Sequence, residues 1–335
     1  MDSRAFIHSR KSVAAVFEPP TKLRSDHLIK TKPSPPSNLS EEYAKYGVFK
    51  PIDIDVLACS FETTLIQEHI ADIISYSMEL ESEQPPLEKI NQRLDKTICK
   101  EDISSSLDWI LNRSIEAQLK MEVAHEARDI FIRFISKASF QKNFLLPVAF
   151  CSLFIAIKIH SRQNVPKLKD LLTRFNLDIE PRVITEVEQV ILTTLAFSIN
   201  RPTLYTFLRR FCRVARLSQN QQILARYFCD LAFDDYRFIG TKPSKLMAAI
   251  IAAVYFKYNF CFNWSATLTK YTGYVFEDVK QTAELLIDAD KALLKKYHRN
   301  EIDNYFSYYF KDSHDISKLK QTRDTFDMSL PCGIK

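Results

Sequence analysis

The chain has 335 residues, of which 46% are hydrophobic and 26% charged, and its formal net charge is +5. This composition is ordinary for a globular protein and leaves room for two domain-sized cores. The four glycines lie far apart in the sequence. Loops that cradle phosphate groups need clustered glycines, so nucleotide-binding enzymes of those classes are excluded. Scarce glycine turns and the lack of period-two alternation predict an all-α fold.

The seven cysteines form no C-x-x-C pair, and several lie within apolar runs. This pattern favours reduced thiols in a protein core over a metal site or a disulfide framework. The modest positive charge predicts a solvated basic surface rather than a face that binds nucleic acid. We therefore expect no cofactor, no metal, no nucleic-acid partner and no membrane partner.

The N-terminal part of the chain divides into a tail and a helical segment. Residues 1–50 are rich in proline, show little periodicity and are expected to be a disordered tail. A helical segment follows over residues 60–96. In it, apolar residues recur with helical spacing over 61–80, prolines end that helix, and a shorter helix is expected over 87–94.

The stretch from Leu145 to His160 is the most hydrophobic part of the chain. It is apolar on every side until Lys158, and Pro147 lies where the first turn of a helix tolerates proline. Its apolar run is shorter than the roughly 18 residues that a membrane-spanning helix needs. We therefore predict that it is the buried central helix of an all-helical core.

A second stretch of the same kind begins about 98 residues further on. Residues 243–260 again start with proline, are apolar on all sides and carry Lys257 near the end. A weak repeat at this period predicts two tandem five-helix units, at residues 101–200 and 201–298. Coil with some short helix is expected in a C-terminal extension over residues 299–335.

Apolar periodicity and the positions of the prolines predict the helices of both units. In the first unit they span about residues 102–114, 120–137, 143–160, 166–175 and 181–197. In the second unit they span about residues 202–215, 219–236, 243–259, 264–271 and 275–296.

Several short motifs resemble, in their order and spacing, those of one protein family. They are R-F-I-S at residues 133–136, A-I-K at 156–158, E-Q-V-I-L-T-T-L-A-F at 188–197 followed by R-P-T at 201–203, and W-S-A-T-L at 264–268 followed by T-G-Y at 272–274. Over about residues 60–315 the chain resembles the double cyclin box of A- and B-type (mitotic-like) cyclins. The resemblance implies a tandem double cyclin fold with an extra N-terminal helix.

The resemblance also implies a function. Such a protein is not an enzyme but a regulatory subunit that binds and activates a cyclin-dependent protein kinase in mitotic or meiotic control. The heterodimer would act in the nucleus and cytoplasm, with protein substrates or adaptors as further partners.

In the family, a lysine and a glutamate grip a helix of the kinase, and Lys158 and Glu188 match them. A lysine can bond the exposed carbonyls at a helix end, and a carboxylate can accept from the amides at a helix start. Leu65, Ile66 and Tyr76 on the N-terminal helix complete the expected kinase-binding face. From the residues alone, the simpler interpretation is a lysine that reaches out of a buried helix and a solvated glutamate.

The chain departs from the family at the patch that docks short substrate motifs. Where the family has M-R-A-I-L before a tryptophan, this sequence has D-I-S-S-S at 102–106, ahead of Trp109. Trp109 and Leu145 are the parts of the patch that remain, so we do not expect substrates to dock by this route. Ile103 and Ile132 replace an Arg–Asp pair of the family, which predicts an apolar contact in its place.

A second departure follows Lys158, where the family has an acidic pair and this chain has Ile159-His160-Ser161. The electrostatics of a kinase interface would therefore differ. His160 itself is interpreted as a surface residue rather than a pH switch or a ligand.

Two other functions compete with that of a kinase-activating cyclin. A cyclin-like scaffold or adaptor, for example in meiosis, would act with weak or no kinase activation. The loss of the docking patch favours it, whereas the retained Lys158 and Glu188 speak against it. A DNA-binding transcription factor with paired cyclin folds would need a zinc ribbon, which the cysteine spacing excludes.

Overall fold

The computed structural model describes residues 64–296, apart from residues 84, 86, 94–97, 162–164 and 258–263. The predictions for the tail at 1–50 and the extension at 299–335 lie outside the described residues. Within the described ranges every regular element is a helix. The prediction of an all-α fold is therefore confirmed.

The chain divides into two compact units. Unit 1 contains Leu65–Thr206 and Phe233–Pro243, whereas unit 2 contains Phe207–Ala232 and, of the described residues, 244–296. The segment at 233–243 thus belongs with the first unit although it follows helices of the second.

Unit 1 is built from seven α-helices and three short 3-10 helices in the described part of the chain. The α-helices are α1 (Thr64–Leu80), α2 (Leu87–Arg93), α3 (Lys100–Glu116), α4 (Met121–Ile135), α5 (Leu145–His160), α6 (Leu168–Arg174) and α7 (Pro181–Thr194). The 3-10 helices are Glu81–Glu83, Lys142–Phe144 and Tyr236–Phe238. The helices predicted in this unit are confirmed. The last ends earlier than predicted because Ala196 and Phe197 adopt left-handed backbone angles, with φ of 50° and 57°.

Helix α5 lies at the centre of unit 1, where it packs against α3, α4 and α7. Every residue from Val148 to Ile157 is buried. Neighbours on several sides explain why this helix is apolar all round, as predicted. By length and composition alone Lys142–His160 could cross a membrane, but 67% of its most apolar stretch is buried, as in the core helix of a globular unit.

A buried cation ties α4 to the chain that leaves α7. The Arg133 guanidinium pairs with Asp129 one turn earlier, at 2.7 Å. It also donates to the carbonyls of residues 198 and 199, both at 2.6 Å. Arg201, just beyond, donates to the Leu80 carbonyl at the end of α1 at 3.1 Å. These bonds hold the end of α1 and the segment after α7 on unit 1.

Unit 2 also contains a helix that is buried on all sides. The helices of this unit are α8 (Leu204–Val214), whose first three residues belong to unit 1, α9 (Gln219–Leu231), α10 (Pro243–Lys257), α11 (Ala266–Thr272) and α12 (Phe276–Lys296). Ser218 caps α9, and Gly273 ends α11 in a left-handed conformation with φ of 74°. All residues over 246–254 in α10 are buried, which confirms the second central helix.

Three of the cysteines are buried free thiols, namely Cys151, Cys212 and Cys229. Burial raises the pKa of Cys212 to about 12 and raises the pKa values of the other two as well. These thiols are core residues, as predicted, whereas Cys99 is exposed. Among the described residues, no group of three or more His, Cys, Asp or Glu side chains could hold a metal ion.

Candidate functional site

Lys158 and Glu188 form an ion pair between the end of α5 and the middle of α7. On α7, Val187 and Ile191 face the core, so Glu188 lies at the edge of the buried face. The two paired side chains remain 32% and 19% exposed, respectively. The structure therefore brings together the two residues that the family resemblance assigns to one site, and leaves both within reach of a partner.

The Lys158–Glu188 pair lies above packed residues of α5 and α7. The Lys158 ammonium lies 4.5 Å from the centre of the Phe154 ring, one turn earlier on α5. Below it, the buried Cys151 thiol contacts the Ile184 carbonyl of α7 at 3.8 Å. An ammonium is favourable here because the last carbonyls of a helix lack partners within the helix.

Exposed apolar side chains follow both helices that carry the pair. Ile159 at the end of α5 is 44% exposed, and Val165 in the connection to α6 is 46% exposed. Phe197, just past the end of α7, is 72% exposed. Sequence reasoning did not include Phe197 in the site, although it ends the motif that begins at Glu188. Its exposure favours a surface that a partner covers.

The N-terminal helix α1 presents apolar residues as well. Tyr76 and Ile73 are 61% and 53% exposed. Leu65 and Ile66 lie on the same helix, but their side chains fall outside what the structure describes. In the described part of the chain, no hydrogen bond or ring contact joins Tyr76 to the Lys158–Glu188 pair. Its place in a kinase-binding face stays a prediction.

The remnant of the docking patch is not an open apolar surface. Leu145 is buried, with 6% exposure. Trp109 is half-buried, and its ring packs edge-on against Phe150 and Phe175, with centroids 6.4 and 6.0 Å away. Both side chains thus contribute to the core of unit 1.

A charged group stands where the family has the first apolar residue of that patch. The Asp102 carboxylate binds the Lys142 ammonium at 2.7 Å and accepts from the Cys99 backbone N–H at 3.0 Å. Burial works against the charge, but these two bonds outweigh it and lower the pKa of Asp102 to about 2. A permanently ionised bridge therefore replaces an apolar contact surface.

Ile103 and Ile132, which stand in for the family's Arg–Asp pair, are both buried, with 0% and 2% exposure. Unit 1 nevertheless contains a buried Arg–Asp pair, formed by Arg133 and Asp129 on α4. Sequence reasoning missed it. The signal was present as opposite charges four residues apart, a spacing that brings side chains together on one helix face.

His160 has a partner that the sequence did not suggest. Its Nε2 atom lies 2.5 Å from Oε2 of Glu126 on α4. Glu126 is buried, and burial raises its pKa although the nearby imidazole opposes the shift. The side chain of His160 is 36% exposed, so it lies at the surface as predicted, but it is engaged in a pair with a buried carboxylate.

Unit 2 contains a counterpart of the Lys158–Glu188 pair. Lys257, at the end of its central helix, lies 2.5 Å from the Asp290 carboxylate on α12. The Tyr227 hydroxyl donates to the other oxygen of Asp290 at 2.8 Å. Asp290 is buried, with 4% exposure, and the Lys257 side chain is 18% exposed, so this copy of the bridge has its carboxylate in the core.

The chain matches two family models, which together span most of its length. The model described as "Cyclin, N-terminal domain" matches residues 72–200, and "Cyclin, C-terminal domain" matches residues 202–320. The structure is similar to a viral cyclin from herpesvirus saimiri, with a TM-score of 0.56 at 15% identity over 65% of this chain and 97% of that one. This likeness shows the fold.

Similar curated proteins include "G2/mitotic-specific cyclin-B" of Spisula solidissima and "Cyclin-A3-3" of Arabidopsis thaliana. The first is 28% identical over 260 residues, covering 76% of this chain and 59% of that protein. The second is 29% identical over 266 residues, covering 74% of this chain and 80% of that protein. The chain thus spans less than two thirds of the Spisula protein. With two matched domains, two helical units and the paired Lys158 and Glu188, the chain belongs to the cyclin family as a divergent member with two cyclin boxes.

Proposed function

We propose that this cyclin is the regulatory subunit of a cyclin-dependent protein kinase, which it binds and activates in mitotic or meiotic control, in the nucleus and cytoplasm. The observation that carries the proposal is the partly exposed Lys158–Glu188 pair, held between two packed helices and followed by exposed apolar residues. The names of the A- and B-type relatives support a role in the cell cycle.

The pair offers one donor group and one acceptor group at the same place on the surface. When a partner helix approaches with its N-terminus, the Glu188 carboxylate can accept from the free amides there, and the Lys158 ammonium can bond backbone carbonyls exposed beside them. Ile159, Val165 and Phe197 would lose exposed apolar surface, which contributes roughly 25 cal/mol for each Å² buried.

Activation follows from holding a mobile element of the kinase in one place. A rigid cyclin face would keep the mobile helix of the kinase inward, so that its glutamate meets the lysine of the ATP site. The close packing of α5 against α3, α4 and α7 supplies the rigidity that this population shift requires.

The experiment replaces both charged residues at once. We expect the Lys158→Ala, Glu188→Ala double variant to lose kinase association and activation in a binding and phosphorylation assay. Its thermal unfolding should be nearly unchanged, because a partly exposed pair contributes about 0–1 kcal/mol. Survival of kinase activation in this variant would contradict the proposed site.

A matched control lies on the same helix. Arg182 and Glu186 of α7 form an ion pair at 3.1 Å, and the Arg182 side chain is 80% exposed. The Arg182→Ala, Glu186→Ala double variant removes the same two charges and should bind and activate the kinase as the unchanged chain does. Imaging of the tagged chain in dividing cells tests the proposed localisation.

A cyclin-like scaffold with weak or no kinase activation is the second candidate. The Asp102–Lys142 bridge and the burial of Leu145 favour it, since they remove the surface by which the family docks substrates. Kinase binding without phosphorylation of any substrate in the same assay would support the scaffold over the activator.

A further inference from the structure

The last turn of α5 is held by two side-chain pairs on different sides. Lys158 pairs with Glu188 of α7, and His160 pairs with Glu126 of α4. Ile159, between the two basic residues, is 44% exposed. The helix end that presents Lys158 to a partner is therefore anchored on α4 through an imidazole.

The two anchors differ in how their charge depends on pH. A lysine stays charged across the physiological range, whereas an imidazole is the side chain that usually changes charge between about pH 5 and 8. The strength of the α4 anchor therefore depends on a proton, and that of the α7 anchor does not.

Glu126 depends on His160 for a compensating charge. The charged groups around its carboxylate are Asp129 and Arg133 on α4 and His160 on α5. Arg133 is already bonded to Asp129, so these two largely neutralise each other. Of the described residues, none bonds Oε1 of Glu126, which is buried. A carboxylate buried in this way is costly unless a cation balances it.

Among the described side chains, the helices packed against α4 and α5 bring no competing cation to Glu126. On α2, which packs against α4, Glu88 is an exposed anion. On α7, Glu188 is paired with Lys158. On α3, Arg113 is paired with Glu116 within its own helix. Within the described residues, His160 is therefore the group that balances Glu126 across the α4–α5 contact.

We propose that the Glu126–His160 pair is a proton-sensitive latch: it holds the last turn of α5 more firmly when the imidazole is protonated and Glu126 is ionised than when the imidazole is neutral, so that partner affinity falls as the pH rises through the range in which an imidazole loses its proton. The inference rests on the proposed function, because the partner is the kinase that Lys158 would contact. It adds to that function a dependence on pH that the bare Lys158–Glu188 pair lacks.

The test compares two replacements that bracket the protonation states of His160. His160→Lys carries a positive charge throughout the range, and His160→Gln is neutral throughout. We expect the affinity of the unchanged chain for the kinase to fall roughly two- to fivefold between about pH 6 and 8, as for a partly exposed ion pair. At every pH, the His160→Lys variant should bind the kinase with the affinity that the unchanged chain has at low pH. The His160→Gln variant should bind it with the affinity that the unchanged chain has at high pH.

Titration of the kinase itself would change the affinities of all three proteins alike. The result is therefore taken from the ratio of the affinity of the unchanged chain to that of each variant at each pH. The same pH dependence in the unchanged chain and both variants overturns the latch while leaving the proposed function intact.

A second measurement uses the free cyclin. Hydrogen exchange of the peptide at the end of α5 is compared between the unchanged chain and His160→Lys at each pH, which cancels the intrinsic effect of pH on exchange. The exchange rate of the unchanged chain, divided by that of His160→Lys, should rise with pH as the last turn of α5 loosens. If no kinase binds at any pH, the proposed function fails, and a constant exchange ratio overturns the latch independently.

Discussion

Arg133 is the buried cation that joins α4 to the segment after α7, and its replacement by methionine tests how much unit 1 depends on that joint. The Arg133 and Asp129 side chains are 7% and 8% exposed. Arg133→Met keeps most of the apolar stem but removes the charge and the two bonds to the carbonyls of residues 198 and 199. Asp129 is then left as a buried anion without its cation.

Removing one member of a buried ion pair costs about 3–5 kcal/mol. For a chain of this kind, each kcal/mol lowers the melting temperature by about 2–4 °C, so the variant should melt about 6–20 °C lower. Asp129→Leu added to Arg133→Met removes the stranded anion and should recover part of the loss. Recovery is incomplete because the two carbonyls still lack their donor.

Thermal unfolding followed by circular dichroism measures these differences. Arg182→Met on α7 is the matched control, because it also breaks an Arg–carboxylate pair at a spacing of four residues, but with an arginine that is 80% exposed. It should change stability by no more than about 0.5 kcal/mol. Equal losses for Arg133→Met and Arg182→Met would refute the argument that burial sets the cost.

Three further predictions concern the cores. Ala253→Leu, at a fully buried position of α10, should overpack unit 2 and cost about 1–3 kcal/mol in thermal unfolding; an unchanged melting temperature would show that α10 is not central. Ile103→Arg should destabilise strongly, and Ile132→Asp added to it should recover part of the loss; additive effects would place the two residues apart. Burial, with help from nearby carboxylates, raises the pKa of Asp234 to about 6. The folded chain therefore favours the protonated carboxyl group, and the stability that this group contributes is present at about pH 4 and lost as the pH rises through 6. Asp234→Asn should therefore melt higher than the unchanged chain at about pH 7 but not at about pH 4, and an equal difference at both pH values would contradict the shift.

The helices could be predicted because apolar periodicity reports directly on burial along one element. Residues 148–157 and 246–254 are apolar on every side, and the structure buries all of them. The end of α7 was predicted too late because Ala196 and Phe197 are compatible with a helix in composition. Their left-handed backbone belongs to a turn that ends the helix, in which the Phe197 N–H donates to the Leu192 carbonyl at 2.9 Å and the Ala196 N–H to the Thr193 carbonyl at 3.0 Å. Such turns usually contain glycine, so these residue types do not signal one.

Only those residues of the site that lie in the family motifs could be predicted from the sequence. Lys158 and Glu188 were identified by resemblance, and the structure pairs them. The Glu126–His160 pair joins residues 34 apart in the chain. Periodicity shows which face of a helix is buried but not which residue of another helix opposes it, so a contact of this kind has no local signal.

The two lysine–carboxylate bridges face different evolutionary constraints. In unit 2, the buried Asp290 carboxylate is bonded to both Lys257 and Tyr227, so replacing Asp290 removes the shared acceptor of two side chains at once. In unit 1, each member of the Lys158–Glu188 pair can turn to water when the other is replaced. Substitutions that retune partner choice can therefore accumulate one at a time at the first bridge, whereas a change at Asp290 in the second bridge disturbs two contacts together.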